Sequence, residues 1–416
     1  MFNKIKYRTE LTLLKIGNFF KTDIKYIAKQ GSWMLGGEFI NNIIGLVLTI
    51  SFANLIPVST YGTYKYILSI YGIFALFGLT GAGSAIIKTV AEGYENVFKP
   101  ALKTQIKWGM WGSLCLIFVA FYYLFKENSL FGYSFFIAAA ALPFFESLNT
   151  YLHILAGKKR FDLQTKYYSA TRIISSLTLI LVLFVSDNVL IILLAYFLPY
   201  ILSNILFGSF VLKKINLNNK FDPKAITYIK HLSFLNVISF VVISLDGVII
   251  FQLLGPIQLA IYSIASAPSS KLQSLFGIIP ELSLPKYTEQ PIEEIKKAIL
   301  PKIFKASIVC ATTVIVYVIA VPFLFRWFLP QYMDAIIYAQ LLAIPLIWYP
   351  LALLSRVLLA KEATKFMFQI GLITSIAQLT IMLLAIYFYG LMGAVVGRII
   401  ISIFSYIVTY YYLKRL

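Results

Sequence analysis

A chain of 416 residues that is 60% hydrophobic and only 13% charged, with a mean hydropathy of +0.82, does not suit a soluble domain. Its formal charge of +19 would suit nucleic acid, but the cations are dispersed over short segments between apolar runs, where anionic lipid headgroups are the nearer partner. Cys115 and Cys310 lie inside apolar runs, and His153 and His231 are far apart, so spacing supplies no metal motif.

In chain order, residues 1–32 come first. Leu11, Leu13, Leu14, Ile16, Phe19, Phe20, Ile24 and Ile27 are spread among Lys15, Lys21, Lys25 and Lys29. The pattern is not that of a cleavable signal, which needs a continuous apolar core and a small-residue cleavage site. It predicts an amphipathic helix on the cytoplasmic leaflet, either a plain interfacial anchor or a gating or partner-binding element. Twelve runs of about 20 apolar residues, the length that crosses hydrocarbon, follow at 33–56, 62–80, 104–125, 131–156, 168–186, 189–212, 232–254, 257–280, 303–325, 335–359, 366–388 and 391–413. Of the 36 basic residues, 29 fall at the termini, in the even-numbered gaps or, as Lys107 and Lys305 do, within a turn of such a gap, whereas the odd gaps hold only Lys126 and Arg326. Positive loops stay in the cytoplasm, so both termini are expected there.

The chain also repeats. A shift of 198 positions lays Asn54-Leu55-Ile56-Pro57 over Gln252-Leu253-Leu254-Gly255, and Tyr64 over Tyr262. Leu155-Ala156-Gly157-Lys158-Lys159-Arg160-Phe161 is echoed by Leu359-Ala360-Lys361 and then Thr364-Lys365-Phe366. Six runs per half is an even number, so the halves have parallel topology about an axis along the membrane normal. The expected division is a cytoplasmic segment 1–32, an N-lobe 33–212, a linker 213–231 and a C-lobe 232–416.

Charges inside the runs are the functional candidates, because a charge in hydrocarbon faces either a partner or a cavity. The basic ones are Lys65, Arg172, Lys271, Arg356 and Arg398, and the acidic ones Glu38, Glu146 and Asp246. Each has a plainer role as half of an ion pair that holds helices together. Lys65, Arg172 and Arg356 are near enough to an interface to snorkel. The set carries more than its members. Its positive balance favours an anionic substrate, and arginine in particular matches phosphate with two parallel hydrogen bonds. Glu38 and Asp246 occupy equivalent first and seventh runs, where a carboxylate can bind Na⁺ or a proton. Arg172, Lys271, Arg356 and Arg398 are the expected substrate contacts, and Glu38 and Asp246 the expected ion-coupling pair. No further cofactor is called for.

Other polar residues within runs, among them Asn41, Asn42, Asn149, Asn236, Gln252, Gln273, Gln369 and Gln378, either join helices or meet a glycan. Tyrosines near run ends, such as Tyr61, Tyr64 and Tyr66, suit the aromatic belt. Gly393-x-x-x-Gly397 is a small-residue packing motif. Pro143, Pro199, Pro268, Pro322 and Pro345 are expected to kink their helices. There is no Walker loop, GxSxG or HExxH, so no enzyme is indicated. A glycan polymerase or ligase places its catalytic acids in a large loop, and this chain has no external gap long enough.

Tyr61-Gly62-Thr63-Tyr64, Gly78-Leu79 with Gly81, the Lys158-Lys159-Arg160-Phe161 turn, Leu245-Asp246 followed by Ala260-Ile261-Tyr262, and Tyr389-Gly390-Leu391-Met392-Gly393-Ala394 together resemble the polysaccharide-unit flippases of the MOP exporter superfamily. The resemblance extends over nearly the whole chain through topology and loop punctuation. It implies an all-α membrane protein of two six-helix lobes around a central cavity, in a bacterial or archaeal cytoplasmic membrane. It also implies alternating access and an undecaprenyl-diphosphate-linked oligosaccharide as substrate, with membrane lipids and other glycan-assembly membrane proteins as partners and no nucleic acid. MATE-type drug exporters share that fold and commonly carry an acid on the first helix of a lobe, so the carboxylates do not separate the two. The cationic balance leans away from exporters of organic cations.

Overall fold

The computed structural model describes residues 24–361 and 363–416. Of the amphipathic segment expected over 1–32, residues 1–23 lie outside the described residues. Residues 24–32 begin the first helix, α1 (Ile24–Leu55). Then come α2 (Val58–Phe74), a 3₁₀ turn over Ala75–Gly78, and α3 (Ala82–Ala91). α4 (Phe98–Phe125) and α5 (Ser129–Phe145) form a hairpin, and Asn128 caps α5 by accepting the Phe131 N–H. α6 (Thr150–Gly157), α7 (Phe161–Val185) and α8 (Val189–Lys214) complete the first half of the chain. The second half holds α9 (Lys224–Leu254), α10 (Pro256–Glu289), α11 (Ile292–Phe328), α12 (Ile336–Ala343), α13 (Ala352–Ala360) and α14 (Thr364–Lys414). Among the described residues there is no strand, and nine helical segments are long and apolar enough to cross a membrane. The runs 366–388 and 391–413 both lie on α14. Gly390 breaks it at φ 57°, ψ −139°, a conformation open to glycine and to few other residues. A Cβ on Gly393 would sit 1.8 Å from the Ala385 carbonyl oxygen, and one on Gly397 3.4 Å from Met382 Sδ. The two limbs therefore double back on each other through the small-residue motif.

Two prolines show how a helix breaker is tolerated where water cannot satisfy the backbone. Pro143 has no N–H to offer the Ala139 carbonyl one turn earlier, and Ser113 Oγ on α4 donates to that oxygen at 2.7 Å. α5 ends two residues later, and a 3₁₀ turn over Ser147–Asn149 leads into α6. Pro322 frees the Val318 carbonyl in the same way, and Gln340 Nε2 on α12 donates to it at 3.0 Å.

The helices pack so that α1 lies on α7, α2 on both α9 and α10, and α9 on α14. α2, α9 and α10 thus form the seam between the first and second halves of the chain. A Cβ on Gly62 would fall 1.8 Å from the Pro256 carbonyl oxygen, so only glycine lets α2 cross the start of α10 this closely. The turns that the repeat aligned are alike in kind. α1 passes to α2 through Ile56 and Pro57, and α9 passes to α10 through Gly255, at φ 90°.

Candidate functional site

The seam encloses a cavity of about 670 Å³. Its walls come from the middle of α1 and α2, from α7, α9 and α10, from the irregular stretch around Pro345–Tyr349, and from the second limb of α14. Among the described residues, four cations line it, Lys65, Arg172, Lys271 and Arg398, against one carboxylate, Asp246. Helices more than 200 residues apart in the chain thus bring together three of the four expected substrate contacts. They also bring in Lys65, which the sequence places close enough to an interface to snorkel.

Each cation is held differently. Arg398 Nη1 donates to Asp246 Oδ2 at 2.6 Å, and Gln378 Nε2, on the other limb of α14, donates to the same carboxylate at 3.1 Å. Asp246 is buried, while the Arg398 side chain is 41% exposed toward the cavity. Asp246 is therefore the buried anchor, and Arg398 still presents guanidinium N–H groups to the cavity. This is the ion-pair role, realised between an expected coupling residue and an expected substrate contact. Arg172 lies over the Tyr168 and Tyr200 rings, 5.6 and 5.8 Å from their centroids, and donates to Tyr168 Oη at 3.4 Å. Tyr168 is one turn earlier on α7, so the arginine is oriented by its own helix and its outer edge stays exposed. Lys271 reaches across to α1, where a Cβ on Gly45 would be 2.8 Å from its Nζ. The missing side chain at Gly45 is the space the ammonium occupies. Lys271 also lies within electrostatic reach of Arg172, Lys65 and Glu38. Lys65 sits over the Tyr61 ring at 5.4 Å.

Two expected site residues fall elsewhere. Glu38 is half-buried on α1 near Lys271 but does not line the cavity. Arg356 is half-buried on α13, also off the lining. The sequence reading passed over a polar face on α10, made of Ser263, Ser266, Ser269 and Ser270, all of which line the cavity. Its signal was the three-to-four residue spacing, which puts the four hydroxyls on one helix face. Three of them donate to their own helix, Ser266 to the Ser263 carbonyl and Ser269 and Ser270 to that of Ser266, leaving oxygen lone pairs free to accept.

Contacts bridge the seam at the end where the 54–57 and 252–256 turns lie. Phe251 of α9 stacks on Tyr66 of α2 with ring centroids 3.9 Å apart. Gln252 Nε2 donates to Tyr66 Oη, and Tyr66 and Tyr123 share a hydroxyl hydrogen bond. Asn54 Nδ2 donates to the Phe328 carbonyl at 2.7 Å, a second contact across the seam.

A family profile described as polysaccharide biosynthesis protein matches residues 27–288, well over half of the chain. The chain belongs to that family. Comparison with curated proteins gives no match. Among solved structures it is similar to an outward-facing multidrug resistance MATE family transporter of the MOP superfamily, with a TM-score of 0.66 and 17% identity over 94% of this chain and 95% of the other. The inward-facing form of such a transporter gives 0.64 and 14% over 91% and 95%. A MOP superfamily transporter from Pyrococcus furiosus, described as having a binding pocket of reverse polarity, gives 0.61 and 14% over 94% and 96%. The fold is that of a multi-pass MOP-type membrane transporter.

Proposed function

We propose that this protein flips an undecaprenyl-diphosphate-linked oligosaccharide repeat unit across a bacterial or archaeal cytoplasmic membrane by alternating access. The observation that carries this is the cavity's charge. Among the described lining residues, four cations against one carboxylate leave a formal +3, with Glu38 and Glu146 off the lining but within electrostatic reach of Lys271 and Arg172. A low-dielectric wall magnifies that field. Arg172 and Arg398 offer planar forks to a diphosphate and Lys271 a point charge, while the α10 serine oxygens accept from sugar hydroxyls. Arg356 would act outside this cavity, as a contact nearer the membrane face. Twelve spans in two six-helix lobes (33–212 and 232–416, joined by 213–231), with both termini cytoplasmic, give the frame for that movement. Glu38 and Asp246 would couple it to a Na⁺ or H⁺ gradient. In this reading the protein catalyses no bond change and works beside other glycan-assembly membrane proteins.

A second reading is a drug or metabolite exporter, which the likeness to MATE transporters favours. The same +3 opposes the entry of an organic cation. Expression in a host lacking its own repeat-unit flippase separates the two. Wild type should restore surface glycan, and Arg172→Ala and Lys271→Ala, present at equal membrane abundance, should not. Failure of wild type with several matched glycans, together with efflux of a cationic dye, would overturn the flippase reading.

A further inference from the structure

A second cavity, of about 590 Å³, lies on the other side of the α2–α9 contact. It lies where α2 gives way to the 3₁₀ turn and a left-handed Leu79 at φ 63°. Phe74 and Phe77 form one wall, Trp108 of α4 another, and Phe234, Val237 and Val241 of α9 the third. Phe234 is 70% exposed and Trp108 38%. Its polar residues are not scattered. Thr227, Lys230, His231 and Ser233 all lie on the first turns of α9, toward the basic linker, and the other described lining residues are apolar. Ser233 is already satisfied: its hydroxyl donates to the Ile229 carbonyl at 2.7 Å and accepts the Gly81 N–H at 3.0 Å. Lys230, the lysine among the described lining residues, sits over the Trp108 ring at 5.8 Å.

The groove therefore has the polarity of a single lipid, with a lysine at the end near the linker and hydrocarbon toward the middle of the bundle. It also adjoins the central cavity. Phe74 is little more than one turn along α2 from Ser69, and Val241 is five residues along α9 from Asp246; Ser69 and Asp246 both line that cavity. Between the two spaces α2 and α9 touch at glycines. A Cβ on Gly72 would lie 2.9 Å from Ser244 Oγ, and one on Gly247 2.3 Å from Ser69 Oγ.

We propose that this groove is the docking site for the polyprenyl chain of the lipid-linked substrate, with its phosphate end on Lys230. The inference rests on the flippase reading for the identity of the lipid. Apolar area gives the chain its affinity, and Lys230 selects an anionic headgroup over a zwitterionic one. Position relative to the cavity favours the polyprenyl lipid over bulk phospholipid, because a diphosphate with its glycan offers the cationic cavity more charge and more hydroxyls than a phosphodiester headgroup does.

The test is photolabelling of the full chain in phosphatidylcholine vesicles with a diazirine-bearing polyprenyl phosphate, followed by peptide mapping. Adducts are expected on 73–79, around Trp108, and on 227–241. Unlabelled polyprenyl diphosphate should compete them away; phosphatidylglycerol and inorganic pyrophosphate should not. Val237→Trp with Val241→Trp, which fills the groove, should cut labelling about tenfold, and Lys230→Gln about fivefold, the factor for one lysine near an anionic headgroup. Both variants should melt within a few degrees of wild type. Equal competition by phosphatidylglycerol, or unchanged labelling in the filled variant, would overturn the proposal. Run beside the glycan-display assay, the two readings fail separately. Restored glycan without groove labelling sinks the groove alone. Groove labelling without transport of any polyprenyl-linked unit sinks the flippase reading alone.

Discussion

Removing either member of the Arg398–Asp246 pair should destabilise the protein, but by unequal amounts. Asp246 is buried, and its two described polar partners are Arg398, at 2.6 Å, and Gln378. Arg398→Gln leaves a buried carboxylate with neutral donors only. Breaking a fully buried pair in this way costs about 3–5 kcal/mol. Arg398 is 41% exposed to the cavity, so water already screens the pair, and the figure falls to about 2–3 kcal/mol. Asp246→Asn is the milder change. The amide still accepts from Gln378, and the freed guanidinium turns into the cavity and is solvated there, for about 1 kcal/mol. The double variant should recover most of the Arg398→Gln loss, because no unpaired charge is left inside. The assay is thermal unfolding of the purified protein in one detergent, as a double-mutant cycle. A larger loss from Asp246→Asn than from Arg398→Gln, or additive losses in the double variant, would refute the picture of a buried aspartate anchored by a cavity-facing arginine. In transport the order reverses in meaning. Asp246→Asn should keep substrate binding and, if Asp246 couples to an ion, lose the dependence on a gradient.

Four other outcomes follow from single contacts. Gln252→Leu removes the bridge from α9 to Tyr66, worth about 1 kcal/mol. It should raise the reactivity of a cysteine placed at Ser69 toward a membrane-impermeant thiol reagent added from the side of the 252–256 turn. Gly62→Ala places a methyl against the Pro256 carbonyl, where backbone must move, and should cost at least about 3 kcal/mol, seen as lost membrane abundance. Ser113→Ala orphans the Ala139 carbonyl left by Pro143, and a loss of about 1 kcal/mol in detergent unfolding is expected. The linker is tied to the first half of the chain: Lys158 Nζ donates to Glu95 Oε1 at 2.6 Å, and the Asn218 N–H to Glu95 Oε2 at 2.9 Å. Glu95→Ala should release it, and limited proteolysis should then cut at 215–223 at least about tenfold faster, as local opening becomes cheaper.

Part of this architecture is written in local sequence. Pro143 announces the break after α5, and Gly390 the reversal within α14, because each residue acts on its own backbone. The 54–57 and 252–255 turns could be aligned for the same reason. The serine face of α10 was also readable as a spacing and was passed over. Lys65 and Arg356 show the limit. Both stand near a run end where a long side chain can reach an interface, yet Lys65 turns into the cavity and Arg356 lies away from it. No spacing distinguishes them, since the difference lies in how each helix is rotated.

The sequence by itself determined that this is a helical membrane protein, where its apolar runs lie, and which few charges sit in hydrocarbon. Hydropathy and loop charge are sums over neighbouring residues, so a window along the chain reads them directly. Only the tertiary structure decided that Asp246 takes Arg398 and Gln378, which come from two limbs of one broken helix, and that Lys271 fills the space left at Gly45. Helices apolar on every side carry no stripe that fixes their rotation. Their facing is set by close packing at small residues and by the need of each buried polar group for a partner, and those partners lie 132 to 152 residues apart in the chain for Asp246 and farther still for Lys271.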